Sequence, residues 1–157
     1  WGNSSVEASK YVAIHKMSEQ CKAQGGVIIE VPTVTTIEEW LDYWGIEPKR
    51  GIVTLYKAVD DDFVSSRDFA YIPGTKPKCP DWEPHGRCGN GLHLTAHPAI
   101  SKGYKNDATK FVACRVRVKD LVLINPGDRS DKVKAPSVLS VAECDRNGDL
   151  LEGEQDA

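Results

Sequence analysis

The sequence predicts one α+β domain, in which N-terminal helices pack against a mixed, mostly antiparallel sheet. Its length of 157 residues suits a single domain. After residue 51, short runs of alternating or β-branched residues recur, and 52–59 and 111–118 are the clearest. Before residue 51, apolar residues recur at helical spacing. We therefore expect an N-terminal helical segment, residues 1–50, packed on a main α+β domain, residues 51–157.

The first predicted helix begins near Ser4, which forms a capping-box spacing with Glu7. Four residues then fall on one face at helical spacing: Tyr11, Ile14, Ser18 and Cys21. Gly25 and Gly26 favour the end of this helix, because glycine tolerates the left-handed conformation at a helix C-terminus. We expect Tyr11 and Ile14 to pack on the sheet.

A second short helix is predicted over residues 37–44. Thr36 and Glu39 repeat the capping-box spacing, and Gly45 can close the helix. Trp40 and Trp44 lie on one apolar stripe of this helix. Core packing is the expected role of such a stripe, and an exposed surface for a partner is the alternative.

The remaining elements are mostly strands. They are predicted over 27–31, 52–59, 69–72, 92–95, 111–118, 121–124 and 138–144. Pro98 can begin a helix that runs to about residue 104. Asn147-Gly148 is the strongest hairpin signal in the chain.

Composition excludes some classes of function. A net charge of −3 argues against a nucleic-acid-binding protein, which needs a basic face. No apolar run approaches the roughly 20 residues that span a bilayer, so no membrane association is expected. Five cysteines cannot all pair, and this odd number favours a reducing cytosol over a secreted disulfide framework.

The segment 79–97 carries two of the five cysteines and three of the four histidines on a loop rich in glycine and proline. Thiolate and imidazole are the ligands that zinc prefers, so this segment predicts a structural zinc site. The predicted ligands are Cys79, Cys88, His93 and Cys114. Two alternatives stay open. Cys114 can be a small buried apolar residue above solvated loop histidines, and Cys88 can be a nucleophile beside His85 or His93.

The order of elements in the middle of the chain is similar to that of small ADP-ribosyltransferase-like domains. It places Tyr56-Lys57 on one strand and Gly91-Leu92-His93 on another, and a helix and a further strand follow. The resemblance implies an NAD cleft between two small sheets, with Tyr56, Lys57, His93 and Glu143 as its catalytic residues. The chain departs from the family pattern at Lys57, where Arg or His is expected. Glu143 also stands alone, without the paired late glutamate of that family.

A second resemblance is carried by 56–60, by Pro80-Asp81-Trp82, by 88–93, by 132–136 and by 145–148. Over about residues 52–151 the chain resembles an uncharacterised domain family of actinobacteriophages. That resemblance implies a viral protein in the cytoplasm of the bacterial host or on the virion, and it implies no activity.

Together these patterns favour a small phage-type accessory or binding module with an unknown protein partner, stabilised by zinc. The alternative is an NAD-dependent, ADP-ribosyltransferase-like enzyme. The sequence leaves open whether the protein is an enzyme.

Overall fold

The structure is a computed structural model that describes residues 4–127, 131–151 and 153. Its strands are β1 (Ser5–Glu7), β2 (Ala13–Lys16), β3 (Lys22–Gln24), β4 (Val27–Glu30), β5 (Ile52–Val59), β6 (Leu92–Thr95), β7 (Lys110–Arg117), β8 (Val122–Leu123), β9 (Lys132–Ala135) and β10 (Ser140–Cys144). Its helices are α1 (Ile37–Tyr43), α2 (Pro98–Lys102) and a 3-10 turn, Val118–Asp120. No helix in these residues is long and apolar enough to cross a lipid bilayer.

The main sheet has six strands in the order β10-β7-β5-β6-β9-β8. All of its pairings are antiparallel, so the prediction of a mixed sheet is wrong for this part of the chain. Strands β5 and β7 pair along their whole length, from Ile52 opposite Arg117 to Val59 opposite Lys110. Both strands were predicted within one residue, because alternation marks a strand with one face in the core.

The core lies on one face of this sheet. Leu55, Cys114 and Leu94 are fully buried there, and Trp40 of α1 packs against the same cluster. The capping box of Thr36 and Glu39 begins α1 as predicted. The core role predicted for Trp40 is confirmed, since none of its surface is exposed.

The helix predicted after Ser4 is wrong. Residues 4–30 instead form two small parallel pairs, β1 with β3 and β2 with β4. Gly25 and Gly26 have positive φ, and a Cβ at Gly25 would stand 2.1 Å from the carbonyl oxygen of Ala8. The glycines therefore allow two chain segments to cross closely, and they do not end a helix. Tyr11, predicted to be a core residue, is 86% exposed.

Other expectations from the sequence also need correction. Residues 69–72 form no strand, and a single bridge joins Ala70 to Val64. Strand β9 was not predicted, although Lys132 and Lys134 alternate with apolar residues. Trp44 packs on the core only in part, and Ile14 is half-buried.

Candidate functional site

A cleft opens where β5 and β6 separate. The two strands pair at one position only, Tyr56 opposite Thr95, although β5 remains paired with β7 along its other edge. Two adjoining cavities of about 260 and 220 Å³ lie beside this gap. Lys57, Arg67 and His93 line both cavities, so the two adjoin one another and are described together as the cleft.

Lys57 brings a buried amine to the centre of the cleft. It lies on the core face of β5 between Leu55 and Val59, neither of which has any exposed surface. Its Nζ donates a hydrogen bond to the carbonyl oxygen of His93 at 3.1 Å and lies 5.7 Å from the centre of the Tyr71 ring. Burial, with a smaller contribution from Lys132 and Arg67, lowers the pKa of Lys57 to about 8.

His93 reaches the cleft from the other face of the sheet. Leu92 and Leu94 are buried in the core, so alternation along β6 turns His93 away from it. Its Nε2 is buried and has no hydrogen-bond partner among the described residues. Burial lowers the pKa of His93 to about 4, and Lys57 and three further cations act in the same direction. The imidazole is therefore neutral at pH 7, with one unsatisfied polar atom.

Arg67 and Lys132 add positive charge from two other segments. Arg67 lies on the loop after β5, and Lys132 opens β9. The lining of the smaller cavity also carries the hydroxyl groups of Thr95, Ser101 and Tyr104. Among the described lining residues Asp81 is the one carboxylate, and it accepts a hydrogen bond from the Cys79 thiol. The cleft is therefore cationic and offers many hydrogen-bond donors.

A glycine-containing loop, residues 79–91, forms one wall of the cleft. Lys134 has no exposed surface, and its Nζ donates to the carbonyl oxygen of Asn90 at 3.1 Å. The same ammonium lies 5.5 Å from the centre of the Trp82 ring. Gly91 has a φ of 142°, and a Cβ there would stand 2.9 Å from Cδ of Lys134. Lys134 and Gly91 thus hold the loop against β9.

The predicted zinc ligands are divided over the structure. Cys79 lines the larger cavity, Cys88 lines the smaller one, and His93 lines both. Cys114 is fully buried in β7, and burial raises the pKa of its thiol. Within residues 4–127, 131–151 and 153, no group of three or more His, Cys, Asp or Glu side chains could hold a metal ion. The zinc site stays a prediction from the sequence.

The charges near the predicted zinc ligands favour an anion over a divalent cation. Nζ of Lys132 donates to Sγ of Cys88 at 3.6 Å, and four cationic side chains act on His93. Like charges in a partly buried site repel strongly, because the local dielectric constant is low. The other loop histidines have local partners: His85 pairs with Glu83 at 2.7 Å, and His97 caps α2.

The residues that the ADP-ribosyltransferase resemblance implies come together only in part. Lys57 and His93 line one cleft. Tyr56 lies on the side of β5 opposite to Lys57, and its hydroxyl group contacts Gly148. A Cβ atom added at Gly148 would stand only 2.6 Å from that hydroxyl oxygen. Glu143 lies on β10, two strands from β5, and pairs with Lys110 at 3.9 Å.

Sequence reasoning missed Arg67 and Lys132 as members of the site. Arg67 stands on an irregular loop, and no pattern in the sequence brings it to β6. A signal for Lys132 was present, because Lys-Val-Lys-Ala alternates like a strand. Recognising that strand would have placed both lysines on the same face of one strand. In the structure Lys132 is the cross-strand partner of Thr95, and Lys134 is the partner of His93.

Comparisons with known proteins add one finding. No curated protein and no solved structure matches the chain significantly. A family model described as "Domain of unknown function (DUF7666)" matches residues 53–152, which begin at the second residue of β5 and end after β10. This match covers more than half of the chain and includes the whole cleft. The chain therefore belongs to the DUF7666 family.

Proposed function

We propose that the protein is a binding module whose cleft between β5 and β6 holds a small phosphate-bearing molecule. The observation that carries the proposal is the convergence of Lys57, Arg67 and Lys132 on one cleft whose described lining has a single carboxylate. Like charges in a partly buried site repel one another, and a bound anion reduces that repulsion. Arginine and lysine are the residues that most often hold phosphate groups in proteins.

The neutral groups of the cleft fit the same ligand. Thr95, Ser101 and Tyr104 bring hydroxyl oxygens to the lining of the smaller cavity. Each hydroxyl already donates within the protein, to backbone carbonyl oxygens or to the Asp131 carboxylate, so it can accept a hydrogen bond from a sugar hydroxyl of the ligand. The buried Nε2 of His93 needs a hydrogen-bond partner that the described residues do not supply. The volume of the two cavities suits a small molecule, and the aromatic rings of Phe69 and Tyr71 line one end.

Inorganic pyrophosphate is the first probe, because it carries the charge of the proposed ligand and nothing else. Calorimetry at low ionic strength should show binding in the micromolar to millimolar range, and the melting temperature should rise with pyrophosphate concentration. Arg67→Ala and Lys132→Ala should each lower the affinity at least tenfold. Lys119→Ala removes an exposed lysine from the 3-10 turn and serves as the matched control. Salt should weaken binding to the wild-type protein.

Two results would contradict this proposal. One is the absence of pyrophosphate binding at millimolar concentration by folded protein. The other is an equal loss of affinity in Lys119→Ala and Lys132→Ala, which would mean that pyrophosphate responds only to net charge.

An NAD-dependent ADP-ribosyltransferase is the second candidate. The shared cleft of Lys57 and His93 favours it, and the pyrophosphate of NAD fits the cationic lining. The distant positions of Tyr56 and Glu143 weigh against the chemistry. Release of nicotinamide from NAD is the discriminating measurement, because NAD binding alone is expected under both proposals. We expect no release, and enzyme-dependent release that Glu143→Gln abolishes would favour the transferase.

The structural zinc and the protein partner expected from the sequence stay proposals that are separate from the anion-binding cleft. Elemental analysis of purified protein tests for bound zinc. An equimolar zinc content would support the predicted metal site and would count against anion binding in the cleft. Exposed apolar side chains on the small N-terminal sheets support a partner surface: Val6, Val27, Ile28 and Ile29 are each 42% exposed or more. An accessory role in a bacteriophage is the setting that the sequence resemblance suggests for such a module.

A further inference from the structure

Lys57 has the surroundings of a reactive amine. Lys57 lines both cavities of the cleft, and its Nζ donates a hydrogen bond to a backbone carbonyl oxygen, that of His93. Burial has the largest effect on its pKa; Lys132 and Arg67 also lower the pKa, whereas Cys114 and Cys88 raise it. A lysine that is desolvated and close to other cations loses its proton easily, and the neutral amine is a nucleophile.

We propose that Lys57 forms an imine with the carbonyl carbon of an aldehyde or ketone that also carries a phosphate group. The phosphate part of this inference rests on the proposed function, because Arg67 and Lys132 would hold that group. The amine part rests on the position of Lys57 itself. Its pKa of about 8 leaves an appreciable fraction of neutral amine near physiological pH.

The chemistry balances without an oxidant or a reductant. The Nζ lone pair attacks the carbonyl carbon, a C–N bond forms, and the carbonyl oxygen takes a proton to become the hydroxyl group of a carbinolamine. Loss of that hydroxyl as water then gives the C=N bond. His93 lines the same two cavities, and we assign its imidazole the role of carrying a proton between nitrogen and oxygen.

Pyridoxal 5′-phosphate is a suitable probe, since it joins an aldehyde and a phosphate in one small molecule. The protein is incubated with it, the imine is reduced with borohydride, and the modified lysines are located by peptide mass spectrometry. We expect Lys57 to be labelled at least tenfold faster than exposed Lys119. Pyridoxal, which lacks the phosphate, should label Lys57 at least tenfold more slowly, and pyrophosphate should protect it.

The pH profile and one variant supply controls. With pyridoxal, which brings no phosphate to raise the pKa of Lys57, labelling of Lys57 should rise with pH and level off above about 8, whereas labelling of exposed lysines should continue to rise. Lys57→Arg keeps the positive charge and removes the nucleophile, so it should lose the fast adduct. Site mapping in the wild-type protein does not depend on that variant folding well.

The outcomes separate the two proposals. If pyrophosphate binds but Lys57 is labelled no faster than Lys119, the imine inference is overturned and the anion cleft stands. If pyridoxal and pyridoxal 5′-phosphate label Lys57 equally fast and pyrophosphate gives no protection, the amine is reactive but the phosphate site is refuted. If pyrophosphate does not bind and Lys57 is not labelled, both proposals fail.

Discussion

Replacing Lys57 by methionine should stabilise the fold, although it removes a side chain from the candidate site. Methionine keeps the unbranched shape of lysine and carries no charge. The pKa of Lys57 falls from 10.5 to about 8 in the folded protein, so its ammonium costs about 3 kcal/mol of folding free energy at pH 7. Loss of the hydrogen bond to the His93 carbonyl oxygen offsets about 1 kcal/mol of that gain. We expect a net stabilisation of about 2 kcal/mol.

The sign of the effect depends on pH in a way that identifies its cause. Below about pH 8, Lys57 is protonated in both folded and unfolded chains, and the full penalty applies. Between about pH 8 and 10.5 the folded chain has lost this proton while the unfolded chain still holds it, so the wild-type protein gains stability as pH rises. The advantage of Lys57→Met should therefore shrink across that window.

Urea unfolding of both proteins at pH 7 and pH 10 measures this difference. The two chains share all other titrating groups, so subtracting their unfolding free energies isolates Lys57 to a first approximation. Lys119→Met, at an exposed lysine, should change stability by less than about 0.5 kcal/mol at either pH. The reasoning is refuted if Lys57→Met destabilises the protein at pH 7, or if its advantage does not change with pH.

Three further predictions concern the core, the loop and His93. Trp40→Ala should lower the unfolding free energy by about 3–5 kcal/mol, whereas Tyr11→Ala should change it by less than about 0.5 kcal/mol in urea denaturation. Gly91→Ala should lower the melting temperature more than Gly89→Ala. Both glycines have a positive φ that alanine adopts poorly, but only at Gly91 would a Cβ atom also collide with a neighbouring side chain. The pKa of His93 is lowered from 6.5 to about 4, so the unfolding free energy should fall by about 1–2 kcal/mol as pH decreases across that window, after allowance for its partial exposure. His93→Gln should flatten this decline.

The predictable part of the fold was the part with a strict period. Strands β5 and β7 alternate cleanly because one face of each lies in the core. The helix prediction for the N-terminal segment failed because Tyr11 and Ile14 happen to fit a helical period. The close crossing of two chain segments at Gly25 is a tertiary feature that local spacing does not show. Local spacing cannot distinguish a glycine that ends a helix from one that lets two chain segments approach.

The sequence pointed to the candidate site only where cysteine and histidine residues cluster along the chain. The sequence analysis singled out the loop 79–97, and the structure places His93 of that segment on the cleft. Its expected partners were other metal ligands, whereas the structure surrounds it with cations from Arg67, Lys132 and Lys57. Those side chains belong to a loop and two strands that meet only because β6 lies between β5 and β9. Such convergence depends on strand order, which a single sequence does not reveal.

Anion binding to this cleft should be linked to proton uptake. The charged and titratable groups that act on Lys57 come from several elements: Cys114 on β7, Lys132 on β9, and Arg67 and Cys88 on loops. A phosphate placed among these groups adds negative charge, which raises the pKa of Lys57 back toward 10.5.

Binding above about pH 8 would then add a proton to Lys57, so affinity for pyrophosphate should fall as pH rises from about 8 toward 10, by up to about tenfold per pH unit. Calorimetry at pH 8.5 in buffers of different ionisation enthalpy measures the proton uptake directly. In Lys57→Arg the uptake should vanish, because arginine stays charged across this range. Proton release on binding, or an affinity that stays constant from pH 7 to pH 10, would mean that the anion does not reach Lys57.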